Sequence, residues 1–261
     1  MTELGPTDVL LFGIRLQEID VILTDLLWSG VSLWCFAKLT GMRAQLSPAG
    51  KWFRWMFLLL GIAVFLGAFL GHGFQYLLGY EAKYPGWIIS MWSVACFERS
   101  AILYAGERVS PRLARIMSVA NIVELAIFHA LILFSQPLLD RLGFQFDAFY
   151  FVEIHAAYGL VAIAFPLHFL IYRSTRARAS KLVLIGIAIA TSAVVVHLTK
   201  AYIHPVWFNY HDVSHVILSV STYLYYLAAK EMTRSPIAKG TSAFAKTREQ
   251  APGAIGQPSM R

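Results

Sequence analysis

The chain has 261 residues, of which 57% are hydrophobic and only 14% are charged. A soluble domain carries about 25% charged residues, so this chain has too few charges to cover a surface that faces water on all sides. Its net charge of +7 comes largely from lysines and arginines in short loops between apolar segments. These residues indicate membrane topology and contacts with anionic lipid headgroups, and we expect no nucleic-acid partner.

Seven apolar segments are each long enough to cross a bilayer as a helix, which takes about 20 mostly apolar residues. The fifth segment contains Pro166, which predicts a kink because proline lacks a backbone N–H and obstructs the preceding turn. The predicted fold class is therefore all-α, a polytopic membrane protein with seven transmembrane helices. In chain order the segments are residues 21–37, 52–78, 86–105, 116–135, 149–172, 182–203 and 206–229.

The basic residues of the loops alternate along the chain. The loops after the first, third and fifth segments together carry eleven lysines and arginines, whereas the N-terminal segment and the other three loops carry one each. Because basic loops stay in the cytoplasm, this pattern predicts an N-terminus outside and a C-terminus inside. We accordingly expect a multi-pass integral membrane protein of the plasma (inner) membrane or of an endomembrane.

Two regions of different composition follow one another along the chain. Residues 1–232 form the predicted seven-helix transmembrane domain. Residues 233–261 are rich in serine, glycine and proline and contain a single phenylalanine. Such a segment buries too little apolar surface to fold alone, so we predict a disordered cytoplasmic tail.

Six of the seven predicted helices place acids or histidines in the extracytoplasmic half of the membrane. Polar groups inside a membrane are costly and usually mark function or a structural pair. Their segregation by depth favours a polar cavity that opens toward the extracytoplasmic side, while the alternative is a set of interhelical hydrogen bonds that holds the bundle together. The residues are Asp25, His72, His129, Glu153, His155, His197, His211 and His215.

The most specific local motif is the pair His211 and His215 in the seventh segment. Histidines at positions i and i+4 project from one helical face and can ligate one metal ion, although two unrelated packing residues would give the same spacing. His72, near the outer end of the second segment, lies at matching depth. Three histidines with one open position are typical of catalytic zinc. Glu98 of the third helix is the predicted general base, with an interhelical ion pair as its alternative role.

Together these residues resemble the CREST superfamily of seven-helix membrane proteins, which includes the alkaline ceramidases and the PAQR receptors. The resemblance rests on a histidine late in the second helix, an acid in the third and a His-x-x-x-His pattern in the seventh. It implies that His72, His211 and His215 hold zinc and that the reaction is amide hydrolysis of a ceramide-like lipid. Glu98 then takes the place of the family's acid, and Ala68 stands where the family carries a serine.

The leading hypothesis is therefore a zinc-dependent hydrolase that cleaves an amide or ester bond of a membrane lipid. Membrane lipids are the expected partners, and one of them is the expected substrate. Two other classes stay open. Histidines on facing helices can bind haem, and His129, His155 and His197 are available for it. A receptor, sensor or transporter would use the polar cavity for binding alone.

Overall fold

Helices make up most of the computed structural model, which describes residues 4–141 and 147–234. Strands β1 (Val9–Leu11) and β2 (Ile14–Leu16) form an antiparallel hairpin before the first helix. The α-helices are α1 (Ile19–Gly41), α2 (Pro48–Leu66), α3 (Gln75–Leu78), α4 (Tyr84–Ala105), α5 (Pro111–Arg141), α6 (Phe149–Ala157), α7 (Phe165–Thr175), α8 (Arg178–Thr199) and α9 (Tyr210–Arg234). The π-helical segment Gly67–Gly73 extends α2, and a second, Tyr158–Ala164, joins α6 to α7. Short 3₁₀ turns lie at Tyr80–Lys83 and Gly106–Arg108.

Five helical stretches are long and apolar enough to cross a membrane, by length and composition. They correspond to the first, second, fourth, fifth and sixth predicted segments, so the expectation of a mostly helical chain with apolar helices of spanning length is confirmed. The count of seven and the orientation stay predictions, and residues 235–261 of the predicted tail lie outside the described residues. The stretches are Ile19–Gly41, Pro48–Gly73, Pro111–Ser135, Phe149–Thr175 and Arg178–Thr199.

Two of these stretches are strongly apolar and yet little buried within the protein. Only 17% of the apolar window is buried in Pro111–Ser135, and 28% in Arg178–Thr199. A helix that faces water would carry polar residues on its exposed side. Here the exposed side carries Ile122 and Phe134 in α5 and Leu198 in α8, which form a surface suited to contact with lipid.

The two remaining predicted segments correspond to α4 and α9, which are 22 and 25 residues long. α4 packs against α2, α5 and α6, and α9 packs against α8, α1 and α2. Their buried sides carry hydroxyl and carboxyl groups, among them Ser93, Glu98 and Ser100 of α4 and Asp212 and Ser221 of α9. A helix tolerates such groups when other helices rather than lipid surround them, because they find hydrogen-bond partners there.

The largest apolar core occupies one end of the bundle. It joins the C-terminal parts of α1, α4 and α9 to the N-terminal parts of α2 and α8 and to α7. Its members include the fully buried Leu39, Phe53, Phe57, Val183 and Met232. The opposite end, at which α1 and α9 begin and α8 ends, carries the hairpin and many of the polar side chains, and we call it the polar end.

The last two long helices begin and end differently from the predicted segments 182–203 and 206–229. α8 ends at Thr199, where the following residue, Lys200, adopts a left-handed conformation with φ of 54°. α9 begins only at Tyr210. The residues between these helices form a loop, so both predicted segments extend too far toward each other.

A cap at Asn209 sets the start of α9. The Asn209 side-chain oxygen accepts a hydrogen bond from the His211 N–H at 2.8 Å, and Asp212 Oδ2 accepts one from the Asn209 N–H at 2.7 Å. This reciprocal arrangement is a capping box, which satisfies backbone donors that a helix start leaves unpaired. It therefore fixes the first turn of the helix that carries the His-x-x-x-His motif.

The fifth predicted segment changes helix type near the proline where a kink is predicted. The π-helical segment Tyr158–Ala164 ends two residues before Pro166, which stands in the first turn of α7. Because proline lacks an N–H and its ring clashes with the carbonyl four residues earlier, the regular α-helical ladder cannot continue through this turn.

The hairpin adds two strands to a fold that the sequence predicts as all-α. Its turn is formed by Phe12 and Gly13, with φ of 52° and 80°, as a two-residue turn between antiparallel strands requires. Arg15 Nη2 lies 2.6 Å from Asp8 Oδ2. Burial would raise the pKa of Asp8, but hydrogen bonds from the Gly5 N–H and the Arg15 side chain outweigh burial and lower it. The ion pair thus fixes the hairpin to the residues before it.

Candidate functional site

The three histidines predicted as metal ligands come together at the polar end, and we call them the histidine cluster. His72 lies in the π-helical segment after α2, and His211 and His215 lie in the first two turns of α9. The ring centroids of His72 and His211 are 6.1 Å apart, and those of His211 and His215 are 6.5 Å apart. Helix α1 packs against both the π-helical segment and α9, so it brings these distant parts of the chain to one place.

The backbone around His72 depends on a close approach to α1. A Cβ atom at Gly73 would lie only 3.1 Å from Cδ1 of Ile22 and 3.4 Å from the backbone oxygen of Ala68. A glycine avoids this crowding because it has no side chain. π-helical turns are uncommon and frequently occur at functional sites. This one lets His72 lie beside α1 and opposite α9.

Asp25 of α1 stands between two of the histidines. Its Oδ1 lies 3.2 Å from Nδ1 of His215, and its Oδ2 lies 3.9 Å from Nε2 of His72. The residue is only 4% exposed. Sequence reasoning assigns the acid of this site to Glu98 and does not include Asp25. The available signal is that Asp25 is an acid inside an apolar segment at the depth of the histidines.

Further hydrogen bonds hold the histidine rings. Glu18 Oε2 lies 2.6 Å from His72 Nδ1, and this hydrogen bond is the main cause of the lowered pKa of Glu18. The Thr24 hydroxyl lies 2.9 Å from Asp212 Oδ1 and 3.2 Å from His215 Nδ1. Partners of this kind fix the orientation and the tautomer of histidines that ligate metals.

Aromatic rings and a fourth histidine lie beside the cluster. Trp28 stacks on His215 with a centroid separation of 5.8 Å. His197, in the last turn of α8, lies 5.4 Å from the ring of His211 and 5.2 Å from that of Tyr210. His197 therefore offers another imidazole at the same end of the bundle.

A cavity of about 410 Å³ adjoins the histidine cluster. It lies between the N-terminal segment, the start of α1 and the loop before α9, and its polar lining includes Asp8, Arg15, Glu18, Asp20 and Asn209. Glu18 lines this cavity and also hydrogen-bonds His72, so the two features share a wall. The volume is within the range of small-molecule sites, which is about 300–1,000 Å³.

Glu98 lies in a different group of residues. It belongs with Glu124 of α5 and His155 of α6, and a ligand atom from each of the three lies within 4.8 Å of the others. Asn121 Nδ2 donates a hydrogen bond to Glu98 Oε2 at 3.1 Å. Within residues 4–141 and 147–234, no hydrogen bond or ion pair joins Glu98 to the histidine cluster. We call Glu98, Glu124 and His155 the carboxylate cluster.

The donor set of the histidine cluster fits zinc in kind. Imidazole nitrogens are common zinc ligands, and in the described part of the chain the His211 ring forms no hydrogen bond that would occupy them. In a tetrahedral zinc site the centroids of two ligating imidazoles lie about 5 Å apart. The separations of 6.1 and 6.5 Å are wider, so zinc binding requires the rings to move inward by side-chain rotation.

Residues 21–234 match the model of a protein family described as a family of unknown function, DUF6962. The chain belongs to this family. The matched region runs from the first turn of α1 to the last residue of α9, so both clusters lie inside it. No curated protein and no solved structure matches the chain.

Proposed function

We propose that this DUF6962 member is a membrane hydrolase that cleaves an amide or ester bond of a lipid, with zinc held by His72, His211 and His215. The observation that carries the proposal is the meeting of these three rings with the buried carboxyl of Asp25. Imidazoles together with a nearby carboxylate are the usual components of a hydrolytic zinc site. The resemblance to the CREST superfamily agrees with this chemistry.

The proposal includes a bundle of seven transmembrane helices, with α4 and α9 added to the five apolar stretches. Both helices are long enough for a crossing, and their polar residues lie on sides that other helices cover. The alternating basic loops orient the N-terminus outward, which puts the polar end at the extracytoplasmic side. In this orientation the histidine cluster is accessible both to a polar headgroup from the aqueous side and to a lipid from the bilayer.

Each residue near the histidines has a distinct role in this proposal. Zinc, when bound, lowers the pKa of water and polarises a carbonyl group. Asp25 is the general base, because its carboxyl lies against two of the histidines and is shielded from bulk water. Glu18 and Thr24 hold the rings of His72 and His215 in place through the hydrogen bonds described above. The role that the sequence assigns to Glu98 passes to Asp25.

The surroundings of the site suit an amphiphilic substrate. The cavity beside the histidines is lined by charged and polar residues of the hairpin and of α1, which favours a polar headgroup. The exposed faces of the long helices are apolar and border the acyl chains of the bilayer. A substrate whose scissile bond joins a headgroup to an acyl chain would place that bond between the two environments. A lipid amide of the ceramide type has this form.

Metal analysis of the detergent-purified chain tests the proposal. We expect the double variant His211→Ala/His215→Ala to contain about one zinc fewer per chain than wild type, because two of three ligands are gone. His129→Gln, which removes a histidine of α5 outside both clusters, is the matched control and should keep the wild-type content. Equal zinc in wild type and in a folded double variant would overturn the proposal. If the double variant does lose zinc, a fatty-acid release from a ceramide-like amide that wild type shows and the double variant lacks would identify the reaction.

A further inference from the structure

We propose that the carboxylate cluster is a second metal site, in which Glu98, Glu124 and His155 hold a divalent transition-metal ion. The three residues come from α4, α5 and α6, and the atoms that they offer lie within 4.8 Å of one another. Glu98 is 1% exposed and His155 is fully buried. The proposed function uses none of these residues, so the second site stands independently of it.

One ring nitrogen of His155 bonds a backbone carbonyl, and the other faces a carboxylate. Nε2 lies 3.0 Å from the Met91 carbonyl oxygen, which can only accept, so Nε2 carries the hydrogen. In a neutral imidazole Nδ1 then has a lone pair, and this lone pair faces Glu124 Oε1 in close contact. As placed, these two atoms are close enough to share a proton; two ligands of one metal ion lie about 3 Å apart, so a metal bound by both requires the Glu124 carboxylate to rotate away from the ring. A backbone carbonyl that fixes the far nitrogen is the usual partner of a metal-ligating histidine.

Glu98 supplies a buried acceptor that lacks a partner. Asn121 Nδ2 donates to its Oε2, and the orientation of Asn121 is fixed because Arg99 Nη2 donates to Asn121 Oδ1 at 3.2 Å. The second oxygen, Glu98 Oε1, is buried and has no hydrogen-bond partner within the described residues, and the same holds for Glu124 Oε2. Buried polar atoms of native proteins are normally paired, so either a bound cation or a proton must satisfy these two oxygens.

A glycine leaves the space in which Glu98 lies. A Cβ atom at Gly159 would lie 2.7 Å from Glu98 Oε1 and 2.5 Å from Cγ1 of Val94. Gly159 stands in the π-helical segment that follows His155, and such segments often accompany functional sites. Because Gly159 has no side chain, the Glu98 carboxylate has room beside the His155 imidazole. A side chain at residue 159 would fill that space.

Charge and ligand type decide which cation fits. Two carboxylates inside an apolar bundle carry two negative charges, which a divalent ion neutralises. Oxygen and imidazole ligands suit Mn²⁺, Fe²⁺ and Zn²⁺, whereas Mg²⁺ retains several waters for which a dry core offers little room. Protons shared among the three residues are the alternative occupant, and metal analysis separates the two.

The experiment counts metal ions per chain in the full-length protein, purified without chelator. Wild type should contain two, His211→Ala/His215→Ala one, Glu124→Gln one, and the combined triple variant none. His129→Gln, on the same helix as Glu124, is the matched control and should keep both ions. One ion in wild type that the double variant loses would overturn the second site and leave the proposed function intact. One ion that persists in the double variant and disappears with Glu124→Gln would support the second site and overturn the proposed function.

A spectroscopic measurement covers the case in which Glu124→Gln does not fold. The double variant His211→Ala/His215→Ala is reloaded with Mn²⁺ and its electron paramagnetic resonance is recorded. We expect a broadened spectrum of about one bound ion per chain, which Glu98→Gln abolishes in a chain that elutes as a single species. The spectrum of free Mn²⁺ alone, together with no retained metal on purification, would show that protons occupy the cluster and would overturn the proposal.

Discussion

Glu18→Gln should weaken zinc binding at the histidine cluster by about 10-fold. The Glu18 carboxylate lies 2.6 Å from His72 Nδ1, where its hydrogen bond holds the orientation of the ring. Loss of a carboxylate partner of this kind lowers metal affinity by about 10- to 100-fold. We take the lower end of that range, because 52% of the Glu18 side chain is exposed and water screens its charge. Glutamine keeps the size of the side chain and one hydrogen bond, so the change isolates the charge.

The pH dependence of this effect has a defined sign. The hydrogen bond with His72 lowers the pKa of Glu18 from its ordinary value of 4.5. The ionised carboxylate therefore contributes its full stabilisation of the folded state at pH values above 4.5. This contribution is lost as the pH falls through the lowered pKa of Glu18. Zinc affinity is accordingly measured at about pH 7, where the Glu18 carboxylate is charged. Competition with a chelator of known affinity gives the dissociation constants.

The control for this measurement is Glu81→Gln, which removes an exposed carboxylate in the Tyr80–Lys83 turn. It should bind zinc as wild type does. Equal affinities for wild type and Glu18→Gln would refute the role of Glu18 in orienting His72. Equal weakening in both variants would mean that the general negative potential of this end, rather than the contact with His72, attracts the ion.

Three further predictions concern catalysis and packing. Asp25→Asn, assayed with zinc in excess because loss of the carboxylate beside His215 also weakens zinc binding, should lower the rate of lipid-amide hydrolysis by about 10²–10⁴-fold, and a wild-type initial rate would exclude Asp25 as the base. Asn209→Ala removes the cap of α9 and should lower the unfolding free energy by about 1 kcal/mol, seen as a lower melting temperature; an unchanged melting temperature would contradict the cap's role. Gly186→Ala would put a Cβ 2.5 Å from Cε1 of Tyr225 and should cost about 1–3 kcal/mol. Its control is Gly30→Ala, whose Cβ meets nothing within 4 Å and which should not lower the melting temperature.

The helices follow from the sequence more reliably than their ends do. A continuous apolar run must satisfy its backbone groups internally, so it predicts a helix wherever it is long enough. The ends of α8 and α9 do not follow, because the loop between them contains Ile203, Val206 and Trp207 and is itself apolar. Backbone geometry at Lys200 and the cap at Asn209 end the helices there, and hydropathy is insensitive to both.

The candidate site follows from the sequence only in part, for a geometric reason. Helical spacing predicts that His211 and His215 share a face, and depth along the helices suggests His72 as their neighbour. Depth does not tell in which direction a side chain points around its helix. Glu98 turns toward α5 and α6, whereas Asp25 on α1 meets the histidines. That choice depends on how the helices pack, which no single segment encodes.

The two clusters have the same construction, and this bears on their function. In each, a glycine in a π-helical segment leaves room for a closely packed neighbour. A histidine in that segment, or just before it, lies against carboxylates from other parts of the chain. A π-helical turn is less favourable than a regular turn, so its presence at both histidines needs a compensating interaction. Carboxylates confined in an apolar bundle require cations, because their charge is otherwise too costly. The number and identity of the cations that each chain retains therefore test whether these two clusters bind metal ions.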